Sequence, residues 1–363
     1  MKITISDTYE LPALAVAWMG LEVRAAGGFF LSWRWIATWL RTTGVRPLLV
    51  TASEDDVTVA LGFLNPHQDH RHFISVRQLC LHETGSPDFD ALMIEHNGFL
   101  IAHAARPNLI VEIMRALQST SVQWDEVVLG GVSHDIVSLM QAAGLIIEVD
   151  RQSPVFGLDL SDRAAGSSRW KDRLSTNLRA QIRQSQSLAE RIGPLVLKQA
   201  VSTQQMLEYF ENMMGLHTVY WQKRNKPGAF ASAFARKFHR ELISFHSDQA
   251  QIELLELAAG SHVLGYLYNF RYAGRICNYQ SGFSYTNDNR HRPGLIAHTM
   301  AIEQAVKQGL HTYDFLAGDA LYKARFGQHL GSMIWCRAQR NSTGLKVERL
   351  VRKLGQSLRR ALP

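Results

Sequence analysis

The chain predicts an α/β fold in two domains, and three observations carry that expectation. Before residue 158, short β-like runs alternate with segments of helical period, and after residue 250 three β-like runs follow one another. Between these regions lies a polar stretch containing Ser161, Asp162, Gly166, Ser167 and Ser168. A length of 363 residues, with 46% hydrophobic and 20% charged side chains, suffices for a large core and two domains. The expected divisions are 1–157, 158–344 and a basic tail at 345–363.

From Trp33 the apolar residues Ile36, Ala37 and Leu40 recur at helical spacing, and Gly44 and Pro47 close the segment. Runs at 48–51 and 57–64 read as a hairpin. Further β-like stretches at 73–81 and 126–129 alternate with helices at 109–117 and 136–143. After the polar stretch comes a basic helix at 177–191 bearing Arg179, Arg183 and Arg191, then helices at 203–221 and 231–245. The period then shortens: 251–257, 263–270 and 275–283 predict neighbouring antiparallel strands, with a turn at 272–274. A helix starting at Pro293 and closed by Gly309, a strand at 312–316 and a last strand at 333–338 follow. The sheets are therefore expected to be mixed, largely antiparallel and flanked by helices. No sequence repeat is visible, although each half has room for a diverged copy of one fold.

Lysine and arginine exceed aspartate and glutamate by 39 to 32, a net +7 that suits an anionic partner such as a nucleotide, a membrane surface or an anionic sugar. The excess is too small to predict nucleic acid. Cys80, Cys277 and Cys336 are widely spaced, which argues against a disulfide framework or a cysteine zinc site. A cytoplasmic setting is expected, since no basic-then-apolar leader and no membrane-spanning run is present.

Two segments carry candidate chemistry. In Asn289-Arg290-His291-Arg292-Pro293-Gly294-Leu295, a proline-started helix offers unpaired N–H groups beside two arginines, a phosphate-binding arrangement whose alternative is a solvated basic loop. In Tyr313-Asp314-Phe315, a carboxylate stands where strands disfavour one. It is either a general base for an acceptor amine or hydroxyl, or a structural partner of Lys323 or Arg325.

The series Gly265, Gly282, Pro293-Gly294, Gly309, Asp314-Phe315-Leu316-x-Gly318-Asp319 and Tyr322-Lys323-x-x-Phe326-Gly327 resembles GNAT-superfamily acetyltransferases of the CelD type, which are related to FemAB aminoacyl transferases. The resemblance extends to Leu174-Ser175-x-Asn177-Leu178-Arg179-x-x-Ile182-Arg183, to His217-x-x-x-Trp221 with Arg224 and Gly228, and to Phe30-x-Ser32-x-x-Trp35-x-x-x-Trp39. It implies two fused GNAT-like domains and transfer of an acyl group from acetyl-CoA or another acyl-CoA to an amine or hydroxyl. The implied acceptors are a sugar, a lipid-linked glycan or an amine, in polysaccharide or cell-envelope biosynthesis.

By that resemblance the pyrophosphate falls on Arg290, Arg292, Gly294 and Leu295, and the oxyanion donor lies around Ser281, Gly282, Phe283 and Ser284. Asp314 would orient or deprotonate the acceptor, and Tyr322 would protonate the leaving thiolate. Lys323 and Arg325 would bind an anionic part of a substrate. By their spacing alone, His217 and Trp221, one helical turn apart, either line an acceptor groove or are a core aromatic with a hydrogen-bonded histidine. Of the family's two spaced glycines in the pyrophosphate loop only Gly294 remains. Two other readings therefore stand beside the first: transfer from aminoacyl-tRNA, and an inactive assembly subunit of a polysaccharide-secretion complex.

His67, Asp69, His70 and His72 match no standard zinc spacing and are expected in a solvated loop, so no metal is expected. Ser133-His134-Asp135 reads as a helix start rather than a triad. In the tail, Val347, Leu350, Val351, Leu354 and Leu358 form an apolar stripe opposite Arg349, Arg352, Lys353, Arg359 and Arg360, which suits peripheral contact with an anionic membrane or docking on a partner protein or on the chain's own domain.

Overall fold

The structure is a computed structural model that describes residues 1–71, 74–161, 169–245 and 251–361. The chain divides into two compact units, Met1–Gln152 with Ser332–Pro363, and Ser153–Gly331. The first unit contains β1 (Lys2–Ser6), α1 (Leu11–Glu22), α2 (Trp33–Thr43), β2 (Leu48–Glu54), β3 (Val57–Arg71), β4 (Ile74–Leu81), α3 (Pro87–Asp90), β5 (Leu100–Ile101), α4 (Leu109–Gln118), β6 (Glu126–Val132) and α5 (His134–Ala142). The chain passes to the second unit within β7 (Ile146–Asp159). That unit continues with α6 (Arg169–Asp172), α7 (Thr176–Glu190), β8 (Leu195–Gln199), α8 (Thr203–Gln222), α9 (Ala233–Ser244), β9 (Ile252–Ala259), β10 (His262–Tyr272), β11 (Arg275–Phe283), α10 (Pro293–Lys307), β12 (Thr312–Ala317) and α11 (Leu321–Phe326). The return is within β13 (Gln328–Gln339), and α12 (Thr343–Ala361) follows.

Local chemistry accounts for many boundaries. Ser32, Ser133, Ser175, Ser202 and Ser232 each accept a backbone N–H at a helix start, and the αL glycine Gly44 ends α2. The early aromatic pattern is thus a cap and a core: Ser32 starts α2, while Phe30, Trp35 and Trp39 are buried.

Both units use one strand order. It is β1-β2-β3-β4-β6-β13 in the first and β8-β9-β10-β11-β12-β7 in the second. In each, four antiparallel neighbours are followed by a parallel pairing across a crossover and then an antiparallel sixth strand. The two units are therefore diverged copies of one α/β topology, a mixed sheet with flanking helices, for which each half of the sequence had room.

The sixth strands come from distant parts of the chain. The run from Ile334 to Gln339 pairs with β6, and Val155 to Asp159 pair with β12. A division at 157/158 would fall inside β7, because the composition turns polar only after that strand has ended; residues 162–168 of the polar stretch lie outside the described residues.

His67, Asp69 and His70 lie on β3 rather than in a loop, paired with Gln78, Val76 and Ser75 of β4; His72 lies outside the described residues. In the tail, Leu345 is buried, Arg349 donates to Gln339, and Arg352 pairs with Glu148. Val347, Leu350 and Val351 are exposed. Arg349 and Arg352 of this first part of α12 thus turn inward with Leu345, towards acceptors on β13 and β7, while Val347, Leu350 and Val351 face outward. The side chains of Lys353, Leu354, Leu358, Arg359 and Arg360 lie outside the described residues. Among the described residues no helix is long and apolar enough to cross a membrane.

Candidate active site in the second unit

One face of the second unit's sheet is covered by α7 and α10, whose Leu178, Ile182, Leu295 and Ile302 join Leu255, Leu267, Tyr313 and Phe315 in one core. The other face carries α8 and α9, with Phe210 and His239 against Tyr268. Between these layers β11 and β12 pair only at Arg275–Thr312, Ile276–Tyr313 and Cys277–Asp314. Beyond that point β11 continues against β10 and β12 against β7. The two parallel strands therefore part, and the peptide groups of β11 that face away from β10 after Cys277 meet no strand among the described residues. Such groups offer preorganised N–H donors for a developing oxyanion.

Ser281, Gly282, Phe283 and Ser284 lie along this open edge and just past it. Gly282 permits direct contact with α8, since a Cβ there would come 2.2 Å from the Met213 carbonyl oxygen. His217 on α8 accepts the Ala229 N–H at Nε2 (3.2 Å), which leaves its proton on Nδ1 for donation to the Ser281 carbonyl (3.1 Å). Burial lowers its pKa, so the ring is neutral and both nitrogens are engaged. Its tilted neighbour Trp221 lies at 6.0 Å, and Gly228, in a left-handed conformation, packs against both rings. His217 and Trp221 are thus brought beside Ser281 and Gly282, with His217 serving as a tie.

At the start of α10, Gly294 fits against Phe283, where a Cβ would stand 3.2 Å from the ring. Arg292 donates its backbone N–H to the buried Ser185 hydroxyl of α7 (2.8 Å) and its Nε to the Asn289 carbonyl (2.8 Å). Arg290 hooks back onto Asp288 at 2.7 Å in an exposed pair. Leu295 is buried beneath this turn. The structure thus gathers Arg292, Gly294 and Leu295 with Phe283, while Arg290 is held within its own loop.

Asp314 is fully buried. One carboxylate oxygen accepts Nη1 of Arg275 (3.1 Å) and the other accepts the Leu316 N–H (2.7 Å). Arg275, rather than Arg325, thus supplies the arginine beside it, and both carboxylate oxygens are engaged. Leu316 has φ of 60°, an unfavourable value for a bulky residue, at the register shift between Asp314 and Ala317. Lys323 braces the same bulge by donating to the carbonyls of Leu316 (3.3 Å) and Ala317 (2.7 Å). Arg325 donates to Gln181 of α7 (2.7 Å) and so ties α11 to that helix.

Tyr322 is presented differently. Its ring stacks on His298 (5.4 Å, 16°) and meets Phe315 edge-on (5.9 Å). Its hydroxyl has no hydrogen-bond partner among the described residues, and burial with Tyr285 and Tyr220 nearby raises its pKa well above the usual phenol value. It therefore stays protonated and can donate.

His298 and Asn278 join the site without having stood out in the sequence. Buried His298 contacts the Tyr313 hydroxyl through Nδ1 (3.0 Å) and orients the Tyr322 ring. Asn278, the first residue of β11 past the parting, donates to Asn269, which in turn donates to buried Glu253. The signal was present: each is a polar residue amid an apolar run.

Burial lowers the His298 pKa to about 3. Since the unfolded value is higher, protons favour the unfolded chain, and stability falls as pH drops below about 6.5 until the folded pKa is reached. Comparing urea unfolding at pH 7.5 and pH 5, His298→Phe is expected to shrink the acid-induced loss by about 2 kcal/mol relative to wild type. An equal loss in both proteins would show that His298 is not buried neutral.

Among the described residues no group of three or more His, Cys, Asp or Glu side chains could hold a metal ion. Residues 176–324 match the family model described as "Acetyltransferase (GNAT) domain". No curated protein shows a significant sequence match. Among solved structures, FemX superposes with a TM-score of 0.58 at 9% identity, covering 92% of this chain and 97% of that one. The C-terminal domain (DUF2156) of a candidate lysylphosphatidylglycerol synthetase from Agrobacterium fabrum gives 0.54 at 11%, covering 94% and 96%. L-PGS from Bacillus licheniformis gives 0.51 at 13%, covering 93% and 95%. At these identities the likeness is one of fold, so the chain is similar over its length to these proteins and, over residues 176–324, to GNAT acetyltransferases.

Proposed function

We propose that the second unit transfers an acyl group from an acyl-CoA, acetyl-CoA being the simplest, to an amine or hydroxyl acceptor. The observation that carries this reading is the parting of β11 and β12 beside the N-terminus of α10. A thioester carbonyl placed at the open edge of β11 would direct its developing oxyanion at the free backbone N–H groups. The diphosphate fits the N-terminal turn of α10, where Gly294 leaves the backbone accessible and the Arg292 guanidinium, held at Nε, keeps its Nη groups. An uncharged amine attacks the carbonyl, the C–S bond breaks, and the Tyr322 hydroxyl gives its proton to the departing thiolate. The new ammonium's proton then restores Tyr322, directly or through solvent. Asp314 and Lys323 hold the bulge that aims α11, and we assign them positioning roles.

The CelD-type motifs support an acceptor from polysaccharide or cell-envelope chemistry, a sugar or lipid-linked glycan, with the second unit as the transferase module. A cytoplasmic enzyme at the inner membrane face would suit such an acceptor. The exposed Val347, Leu350 and Val351 support peripheral membrane contact through α12. In co-sedimentation with anionic phospholipid vesicles, Leu350→Asp should release most of the bound protein; undiminished binding would discard this contact.

Calorimetry tests the donor. Acetyl-CoA is expected to bind wild type and to bind Arg292→Ala at least tenfold more weakly. Binding of an aminoacyl-tRNA but of no acyl-CoA would favour the FemAB-type reading, for which the basic helix α7 speaks. Binding of neither would leave an assembly subunit.

A further inference from the structure

In the first unit β4 and β6 part in the same manner as β11 and β12, since their parallel register covers only Gln78–Cys80 against Glu126–Val128. At that parting lies a cavity of about 360 Å³. Its lining includes the acids Asp69, Glu83, Asp90 and Asp150, together with His67 and Trp335, and no lysine or arginine. Three of the acids are engaged. Asp69 pairs with Arg71, Asp150 with Arg337, and Asp90 accepts the N–H groups of Thr84 and Gly85.

Glu83 is different: it has no hydrogen-bond or ion-pair partner among the described residues. Its carboxylate rests against Gly130, where a Cβ would stand 2.4 Å from each oxygen and push the side chain from its present position. Glu83 is half-buried and carries no partner of its own, so a cation seated in the cavity would find its carboxylate unspent. The volume exceeds what a bare inorganic cation fills, and the lining does not form a metal-ligating group. It falls in the range of small-molecule sites.

We propose that the first unit binds an organic ammonium ion in this cavity, with the cationic nitrogen on Glu83. Nothing in the transfer reaction of the second unit requires this site. Burial and neighbouring Asp90 push the Glu83 pKa up to about 8, so binding a permanent cation at neutral pH releases a proton. The other titratable groups around it include His67 and Asp69 on β3, Cys80 on β4, Asp90 on α3, Asp150 on β7 and Cys336 on β13.

The test is calorimetry on the full chain with choline, and with 3,3-dimethylbutan-1-ol as its uncharged isostere. Choline is expected to bind with release of close to one proton at pH 7, read from the dependence of the heat on buffer ionisation. The alcohol should give no binding. Glu83→Gln should weaken choline at least tenfold and abolish the proton release, while melting no lower than wild type because it removes an unpartnered acid. Glu83→Asp, which keeps the charge, should retain part of the affinity even if the glutamine variant folds poorly. The proposal is overturned if choline does not bind, if the alcohol binds equally well, or if Glu83→Gln binds choline like wild type.

Discussion

Tyr322→Phe is expected to slow acyl transfer about a hundredfold, the low end of what a positioned acid contributes, while leaving stability within about 0.5 kcal/mol of wild type. Ring and hydroxyl are held differently. The ring is held by His298 and Phe315, contacts that phenylalanine keeps, whereas the hydroxyl has no partner to lose. The loss should fall on kcat rather than on the affinity for acyl-CoA, because the proton is needed only as the C–S bond breaks. With the phenol pKa raised by burial, the acid form persists through the alkaline range, so no decline from this group is expected below pH 10. Steady-state kinetics with a thiol-trapping readout measures this, and turnover within threefold of wild type would remove Tyr322 from the chemistry.

Asp314→Ala is expected to cost about 2–3 kcal/mol of stability in urea unfolding, and Asp314→Asn about 1 kcal/mol. Most of the larger figure comes from the Leu316 N–H, which would lose its acceptor while the residue is still held at positive φ. Arg275 contributes less, because its side chain is 43% exposed and water can replace the carboxylate. Asparagine retains an oxygen for the Leu316 N–H, hence the smaller loss. A fully stable Asp314→Ala protein without turnover would instead return Asp314 to the role of general base.

Much of the element pattern was legible because it depends on near neighbours. The three antiparallel runs of the second unit became β9, β10 and β11, and the segment opened by Pro293 became α10. Ser133 was readable as a cap because capping involves residues three apart. By contrast β1, α1, β7 and β8 had no distinct signal. β7 mixes apolar ends with Asp150, Arg151, Gln152 and Pro154, a composition that marks a strand only once β12 and β13 give its residues partners.

The candidate site divides in the same way. Sequence located the residues: Gly282, Gly294 and Tyr322 stand out by type and spacing, and Gly282 and Gly294 meet close packing that explains them. Sequence could not say which of Asp314, Tyr322, Lys323 and Arg325 offers a free group. Asp314 and Arg275 are 39 residues apart, and Arg325 and Gln181 are 144 apart; both contacts follow from strand register and helix packing.

By itself the sequence determined that this is an α/β chain with GNAT-type motifs in its C-terminal half, since periodicity, caps and glycines act over a few residues. Only the tertiary structure decided that one topology is used twice, that both oxygens of Asp314 are engaged while the Tyr322 hydroxyl meets no partner among the described residues, and that Glu83 lines an acid-rich cavity. The reason is physical: whether a polar group is spent or available depends on partners that the sheet register brings from far along the chain.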